Sequence, residues 1–343
     1  MKIHWNTACY ALVSALLVSS VNEGDARMQM LHTRYGPIPV QGDPECYPDG
    51  SPRSCVPAAP VSLATSLGSF IPQHTTDDLR RKEVQPLCFH QNGMLQYLPL
   101  EQGTPLNTPA GVVTAELLTF HEQGCINRVF PLNGRLSGYW SQEDELGLAE
   151  WVELELPWGR SRIRPLSLCF DAQGRWRSLT LWPGDTVEVP TPLGPLAARI
   201  GVSFWENGAV RSLEPASPYP VQTPVGEVWA YDSDAVGISG DLNSLQFDKK
   251  GRIVRLRTTQ SVLGVDFADG TSMGLTPEER ESLCGDGERE IVPMELEFLE
   301  QDVIVRQNAG AAGQRIPYAG SVFRVHRSVP RLNLFELRTG CSI

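Results

Sequence analysis

The chain carries none of several compact motifs that announce a reaction. It has no His-Glu-x-x-His, no P-loop, no dinucleotide glycine fingerprint and no Cys-x-x-Cys. Histidine is sparse, with 6 in 343 residues. No lysine- or arginine-rich block occurs, and the formal charge is −11. An acidic surface repels phosphate backbones and anionic lipid, which argues against nucleic acid and membrane surfaces as partners. The apolar run 8-ACYALVSALLV-18 is too short to span a bilayer, so no integral membrane span is expected in the mature chain. Eight cysteines fall to seven without Cys9, an odd number that rules out a complete disulfide framework. Cys88, Cys125 and Cys169 read as small buried thiols beside strand residues.

Residues 1–27 have two readings. Lys2, the short apolar run and small residues at Ser20 and Ala26 describe a signal-peptide-like segment, which makes the protein exported. Alternatively Met28, immediately before strand pattern, is the true start, residues 1–27 are a misassigned upstream extension, and the protein is cytoplasmic.

What the chain does have is a recurrent turn. Phe-x-x-x-Gly occurs at 89-FHQNG-93, 120-FHEQG-124, 170-FDAQG-174, 204-FWENG-208 and 247-FDKKG-251. Two residues past each glycine stands Leu95, Ile126, Trp176, Val210 or Ile253, and five past it Leu98, Val129, Leu179, Leu213 or Leu256. Worn copies at 46-CYPDGSPRSC-55 and 298-FLEQDVIVR-306 bring the total to seven, spaced 31 to 51 residues apart. A second turn precedes most copies: 108-TPAG-111, 156-LPWG-159, 191-TPLG-194 and 223-TPVG-226, with 65-TSLG-68 and 35-YG-36 as variants. Between the two turns the chain alternates with period two, as in 195-PLAARIGVSF-204; 112-VVTAELLTF-120 matches it if one residue is deleted near Leu118, so one copy is expected to contain a bulge.

These features predict an all-β protein: antiparallel β-hairpin or meander repeats, about seven copies, forming an extended twisted sheet. The mean spacing of about 42 residues also suits a β-propeller, which stands as the alternative. Residues 31–260 hold six copies. Residues 261–343 form a C-terminal capping module, with a short helix over 276-TPEERESL-283, a degenerate seventh hairpin, and strands within 313–329. Asn133-Gly134, flanked by Val129, Phe130, Leu132 and Leu136, reads as a further hairpin turn.

The run 120-FHEQGCINRVFPLNGRLSGYW-140 resembles the MORN-variant repeat at Phe120, Gly124, Ile126, Asn133, Gly134, Gly138 and Trp140. The resemblance implies strings of β-hairpins used as scaffolds or interaction surfaces.

Candidate binding residues lie where long loops interrupt the pattern. The loop of copy two supplies Asp77, Asp78, Arg80 and Arg81, and that of copy six supplies Asp232, Asp234 and Asp241. The segment 232-DSDAVGISGDLN-243 imitates a calcium loop but lacks its fifth and last ligands. Trp205, with Trp140 and Trp229, supplies aromatic side chains to the ligand-binding alternative. His90 and His121, next to the turn phenylalanines, read as exposed turn residues. Arg53, Arg128, Arg177, Arg211, Arg255 and Arg306 recur at one register and read either as a basic stripe or as cross-strand partners of acids such as Glu116, Glu122 and Glu206. Cys46 and Cys55 flank one turn on two apolar positions, so a disulfide between them is feasible in an exported protein. No catalytic residue, cofactor or metal site is assigned. The expected function is a non-catalytic scaffold whose partner is another protein; the alternative is a ligand- or cation-binding β protein using the two long loops.

Overall fold

In a computed structural model, the structure describes residues 29–77, 79–233, 235, 241, 243–281, 289–308 and 311–328. The protein is all-β and antiparallel, and the chain divides into two compact units between Trp182 and Pro183.

The N-terminal unit is a meander. Its strands follow in sequence as Gln29–Thr33, Gly36–Cys46, Pro52–Pro57, Leu87–Phe89, Leu95–Thr108, Gly111–Phe120, Ile126–Phe130, Pro165–Phe170 and Trp176–Leu181. Each pairs antiparallel with the one before. Two hairpins stand off this sheet: Leu63–Thr65 with Gly68–Phe70, and Val152–Leu156 with Gly159–Ile163.

In the C-terminal unit the meander runs through Thr186–Thr191, Gly194–Phe204, Val210–Pro215, Leu245–Phe247, Ile253–Thr258, Met294–Phe298, Asp302–Arg306 and Gln314–Pro317. Residues beyond 260 therefore continue the sheet. The hairpin Tyr219–Thr223 with Gly226–Ala230 stands off it, as does a three-stranded sheet of Ser272–Leu275, Ser261–Phe267 and Ser321–Arg327.

Consecutive copies join edge to edge, as where Ser54 pairs with Cys88 and Val129 with Leu168. Propeller blades are separate sheets packed face on face, so the propeller alternative fails.

Both turn classes are physical. At 120-FHEQG-124 the His121 N–H donates to Cys125 O (3.0 Å) and Gly124 N–H to His121 O (2.8 Å), with Gly124 at φ +83°. That is a type I turn closed by a left-handed residue, and it skips one residue in the register between Thr119 and Phe120. The skip recurs beside Cys46, Phe89, Phe170, Phe204 and Phe247. All five turn phenylalanines are buried, and so are all five apolar residues following the glycine by five. The Thr-Pro-x-Gly turns are two-residue hairpin loops. In one of them Thr108 Oγ1 donates to Gly111 O (2.8 Å) and accepts from Ala110 N–H (3.0 Å).

In four copies the residue after the turn anchor proves to be a staple, which corrects the reading of His90 and His121 as exposed. Tyr47 Oη donates to Phe89 O (2.9 Å), His90 Nε2 to Phe120 O (2.9 Å), His121 Nε2 to Phe170 O (3.0 Å) and Trp205 Nε1 to Phe247 O (3.2 Å). Each ties one turn to the next copy. The acceptors are carbonyl oxygens, so both histidines carry a proton on Nε2. Asp171 and Asp248 have no N–H or O–H to give when ionised. They instead close their own turns, accepting from the Arg175 and Arg252 backbones at 2.9 Å each.

Three further expectations change. The segment proposed as a helix contains the strand Glu278–Glu281, paired with Arg289–Val292. Cross-strand ion pairs Arg280–Glu290 (2.9 Å) and Arg289–Glu279 (3.0 Å) favour the extended form over the local capping signal. Cys46 and Cys55 are free thiols, because the bulge sets the exposed Cys46 opposite Pro52 while Cys55 points into the core. Asn133-Gly134 makes no hairpin, since the strand ends at Phe130 and 131–140 contains no strand. The predicted bulge falls at Arg199–Val202, where Ile200 adopts φ +60°.

Candidate functional site

In the N-terminal unit two long connections meet: residues 71–86, of which Asp78 lies outside the described residues, and residues 131–151. The first is pinned at its start by Glu101, which accepts from His74 N–H (2.8 Å), Thr75 N–H (3.2 Å) and the Thr75 hydroxyl. Asp77 Oδ1 then accepts from the backbone N–H groups of Leu79, Arg80 and Arg81. Burial alone would raise its pKa, but these three donors hold the carboxyl below its usual range.

The turn so made aims two arginines inward. Arg81 donates to Leu100 O (2.9 Å) and Glu101 O (2.8 Å), carbonyls freed where a register shift interrupts pairing between Pro99 and Thr104. Arg80 forms a fork with Glu116 (2.9 and 2.6 Å), and its Nε and Nη2 each reach Glu145 at 2.7 Å.

Glu145 belongs to a short helix, α1 (Gln142–Gly147), started by a reciprocal capping box between Ser141 and Asp144. It also accepts from Trp140 Nε1 (2.6 Å) and Gly134 N–H (2.8 Å). Glu116 accepts from Asn133 N–H (2.8 Å), and Arg135 N–H donates to Arg80 O (3.0 Å). Asn133 Nδ2 reaches Gln85 Oε1 (3.1 Å), which also accepts from Tyr97 Oη (2.7 Å). Glycine at 134 is a matter of space: an added Cβ would lie 2.1 Å from Glu145 Oε2.

Burial opposes charge on both Glu145 and Arg80, yet their mutual hydrogen bonds win. Glu145 is held below the ordinary carboxylate range and Arg80 is raised above the ordinary guanidinium value. This cluster binds the two connections to each other. Both forked edges of the Arg80 guanidinium are taken up by Glu116 and Glu145.

Among polar neighbours, the same connections expose four large apolar side chains. Leu79 is 51% exposed, Tyr139 77%, Leu148 46% and Trp151 48%. Lys82 Nζ sits 4.5 Å from the Tyr139 ring centre, and the Arg164 guanidinium 5.0 Å from that of Trp151.

The remaining candidate residues lie in the C-terminal unit, except Asp234, which is outside the described residues. Asp232 N–H donates to Glu214 (3.1 Å), and its carboxylate lies 3.8 Å from Arg257. Asp241 falls in the same connection as Asp232, a connection that lies mostly outside the described residues, as does the calcium-loop expectation. Glu214, 1% exposed, also accepts from Ser244 N–H (2.9 Å) and Ser244 Oγ (2.5 Å), so it holds both ends of 232–244. Arg199 stands 3.9 Å from it. Burial pushes Glu214 up to about 7, against the opposing pull of the Ser244 and Asp232 donors. Trp205 is the staple described above, with Arg211 and Lys249 over its ring at 4.9 and 5.4 Å.

The recurrent arginines do not share one role. Arg128 reaches Ser167 Oγ (3.4 Å), Arg211 covers Trp205, and Arg255 and Arg306 meet Glu295 and Glu297. The pentapeptide 270-GTSMG-274 has the letters of a nucleophile elbow. Its Ser272 begins a strand and donates to Asp266 (2.7 Å), and a second strand, Glu278–Glu281, follows where the elbow requires a helix.

Among the described residues no group of three or more His, Cys, Asp or Glu is placed to hold a metal ion, and no helix is long and apolar enough to cross a membrane. No family model, curated protein or solved structure matches the chain.

Proposed function

We propose that the protein is a non-catalytic binding protein whose N-terminal unit offers the outer surface of the paired connections, 71–86 and 131–151, to another protein. The observation that carries this reading is the coincidence of exposed Leu79, Tyr139, Leu148 and Trp151 with backbone fastened from beneath by Arg80, Glu116 and Glu145. Large apolar and aromatic side chains on fixed backbone supply binding energy without the entropy cost of ordering loops. Basic groups beside the two aromatic rings favour a recognition surface.

Capture from extracts of the producing cells tests the reading. The comparison is between wild-type bait, a Leu79→Ser/Tyr139→Ser bait, and a control changed at the exposed Val322 of the C-terminal unit. A specific partner retained by wild type and control but lost with the double variant supports the proposal. Equal retention by all three refutes it.

A further inference from the structure

On the C-terminal unit three adjacent strands bring three guanidinium groups to one face. Arg255 lies opposite Glu297 and Arg257 opposite Glu295 across one strand pair, and Arg306 lies opposite Glu295 across the next. Strand alternation sends Leu256, Leu296 and Val305 into the core and leaves these five charged side chains together on the other face. Arg255, Arg257, Glu295 and Arg306, with Asn308, line a cleft of about 330 Å³.

Three carboxylates meet the three arginines: Glu295 and Glu297 on the same face, and Asp232 at 3.8 Å from Arg257, outside the cleft lining. Charge therefore balances, and what is in excess is hydrogen-bond donors. Arg306 serves both glutamates through Nη1 alone (3.1 and 2.9 Å), and Arg257 serves Glu295 through Nε (3.2 Å). Arg255 stands 3.7 and 3.4 Å from Glu295 and Glu297. A guanidinium has five N–H groups, so most of those around the cleft are not consumed by the glutamates. The three side chains are 36%, 27% and 27% exposed, open to a ligand yet partly withdrawn from screening by salt.

We propose that this cleft binds a phosphate-type oxyanion, free or carried on a small molecule. A carboxylate is satisfied by one forked arginine, whereas a tetrahedral dianion accepts from donors converging from several sides, as three guanidinium groups do here. The cleft is larger than a phosphate and leaves room for the rest of a phosphorylated molecule. Glu295, in contact with all three arginines, sets the affinity by competing for them.

Titration of the full chain by calorimetry, with inorganic phosphate and separately with a simple alkyl phosphomonoester, tests the assignment. Saturable binding that weakens with added chloride is expected. Arg306→Gln and Arg255→Gln should each weaken it about tenfold, and Glu295→Gln should tighten it. A gain of affinity on removing one acid cannot arise from misfolding, so that variant remains decisive if an arginine variant folds poorly. Tighter binding of the monoester assigns the cleft to a phosphorylated molecule, and equal binding assigns it to the free ion. No saturable binding, or binding indifferent to both Arg306→Gln and Glu295→Gln, overturns the proposal.

Discussion

Replacing Arg80 by alanine removes the cation that joins the two connections. The side chains of Glu145 and Glu116 are only 6% and 13% exposed, and both would be left without their guanidinium partner. Removing one member of a buried pair costs about 3–5 kcal/mol, because the stranded charge stays desolvated. The pH dependence should also change sign. In the native protein Glu145 is held below its ordinary 4.5, so the stability it contributes is present above that pH and is lost as pH falls through its lowered value. Without Arg80, burial, the largest influence on Glu145, is opposed only by the Trp140 and Gly134 donors, and Glu145 should bind a proton more readily folded than unfolded. The variant should therefore gain stability as pH falls from 7 towards 5. Because the chain divides into two units, local hydrogen exchange is the suitable assay, read at the Gly134 and Arg135 amides that donate to Glu145 and Arg80. A loss below about 1 kcal/mol, with a pH slope of native sign, would refute the claim that Arg80 fastens the connections.

Three other outcomes follow from the same contacts. Glu214, pushed by burial to about 7 from an ordinary 4.5, gives stability that is full below pH 4.5 and lost as pH rises through 7. That rise corresponds to about 3 kcal/mol, and Glu214→Gln should flatten this slope in pH-dependent melting. Tyr47→Phe and His121→Ala each remove one staple and should each cost about 1 kcal/mol in denaturant titration; no loss at either site would remove the staple from the account. Gly134→Ala should displace Glu145 and speed exchange at Arg135 as Arg80→Ala does, since its Cβ would lie 2.1 Å from the carboxylate; native exchange would show that the approach is looser.

The fold was legible where the signal is local. Phe-x-x-x-Gly encodes a buried anchor, a type I turn and a left-handed residue within five positions, and the five copies that keep it make that turn, whereas the worn copy at 298–306 closes from Leu299 to Asp302 without a skip. Thr-Pro-x-Gly is equally local. The staples were half legible: His, Tyr and Trp donate to the next copy whereas Asp closes its own turn, a distinction visible in the letters once the donor requirement is known. Helix α1 also had a signal, the Ser141–Asp144 capping box. By contrast, Asn133-Gly134 and 276-TPEERESL-283 have strong local propensities that tertiary contacts override. The partners of Arg80 lie 36 and 65 residues away, and no periodic pattern links an arginine in one insertion to a glutamate in the next. The sequence pointed to the connection containing Asp77, Arg80 and Arg81, but these prove to be its fastenings. The surface proposed for binding consists of Leu79, Tyr139, Leu148 and Trp151 around them.

Photo-crosslinking from position 139 tests that surface most directly. With benzoylphenylalanine in place of Tyr139, irradiation in the producing cells should yield a discrete crosslinked protein, and the same residue at Val322 should not. Crosslinking from 322 alone, or from neither position, would contradict the assignment of the partner surface to the paired connections of the N-terminal unit.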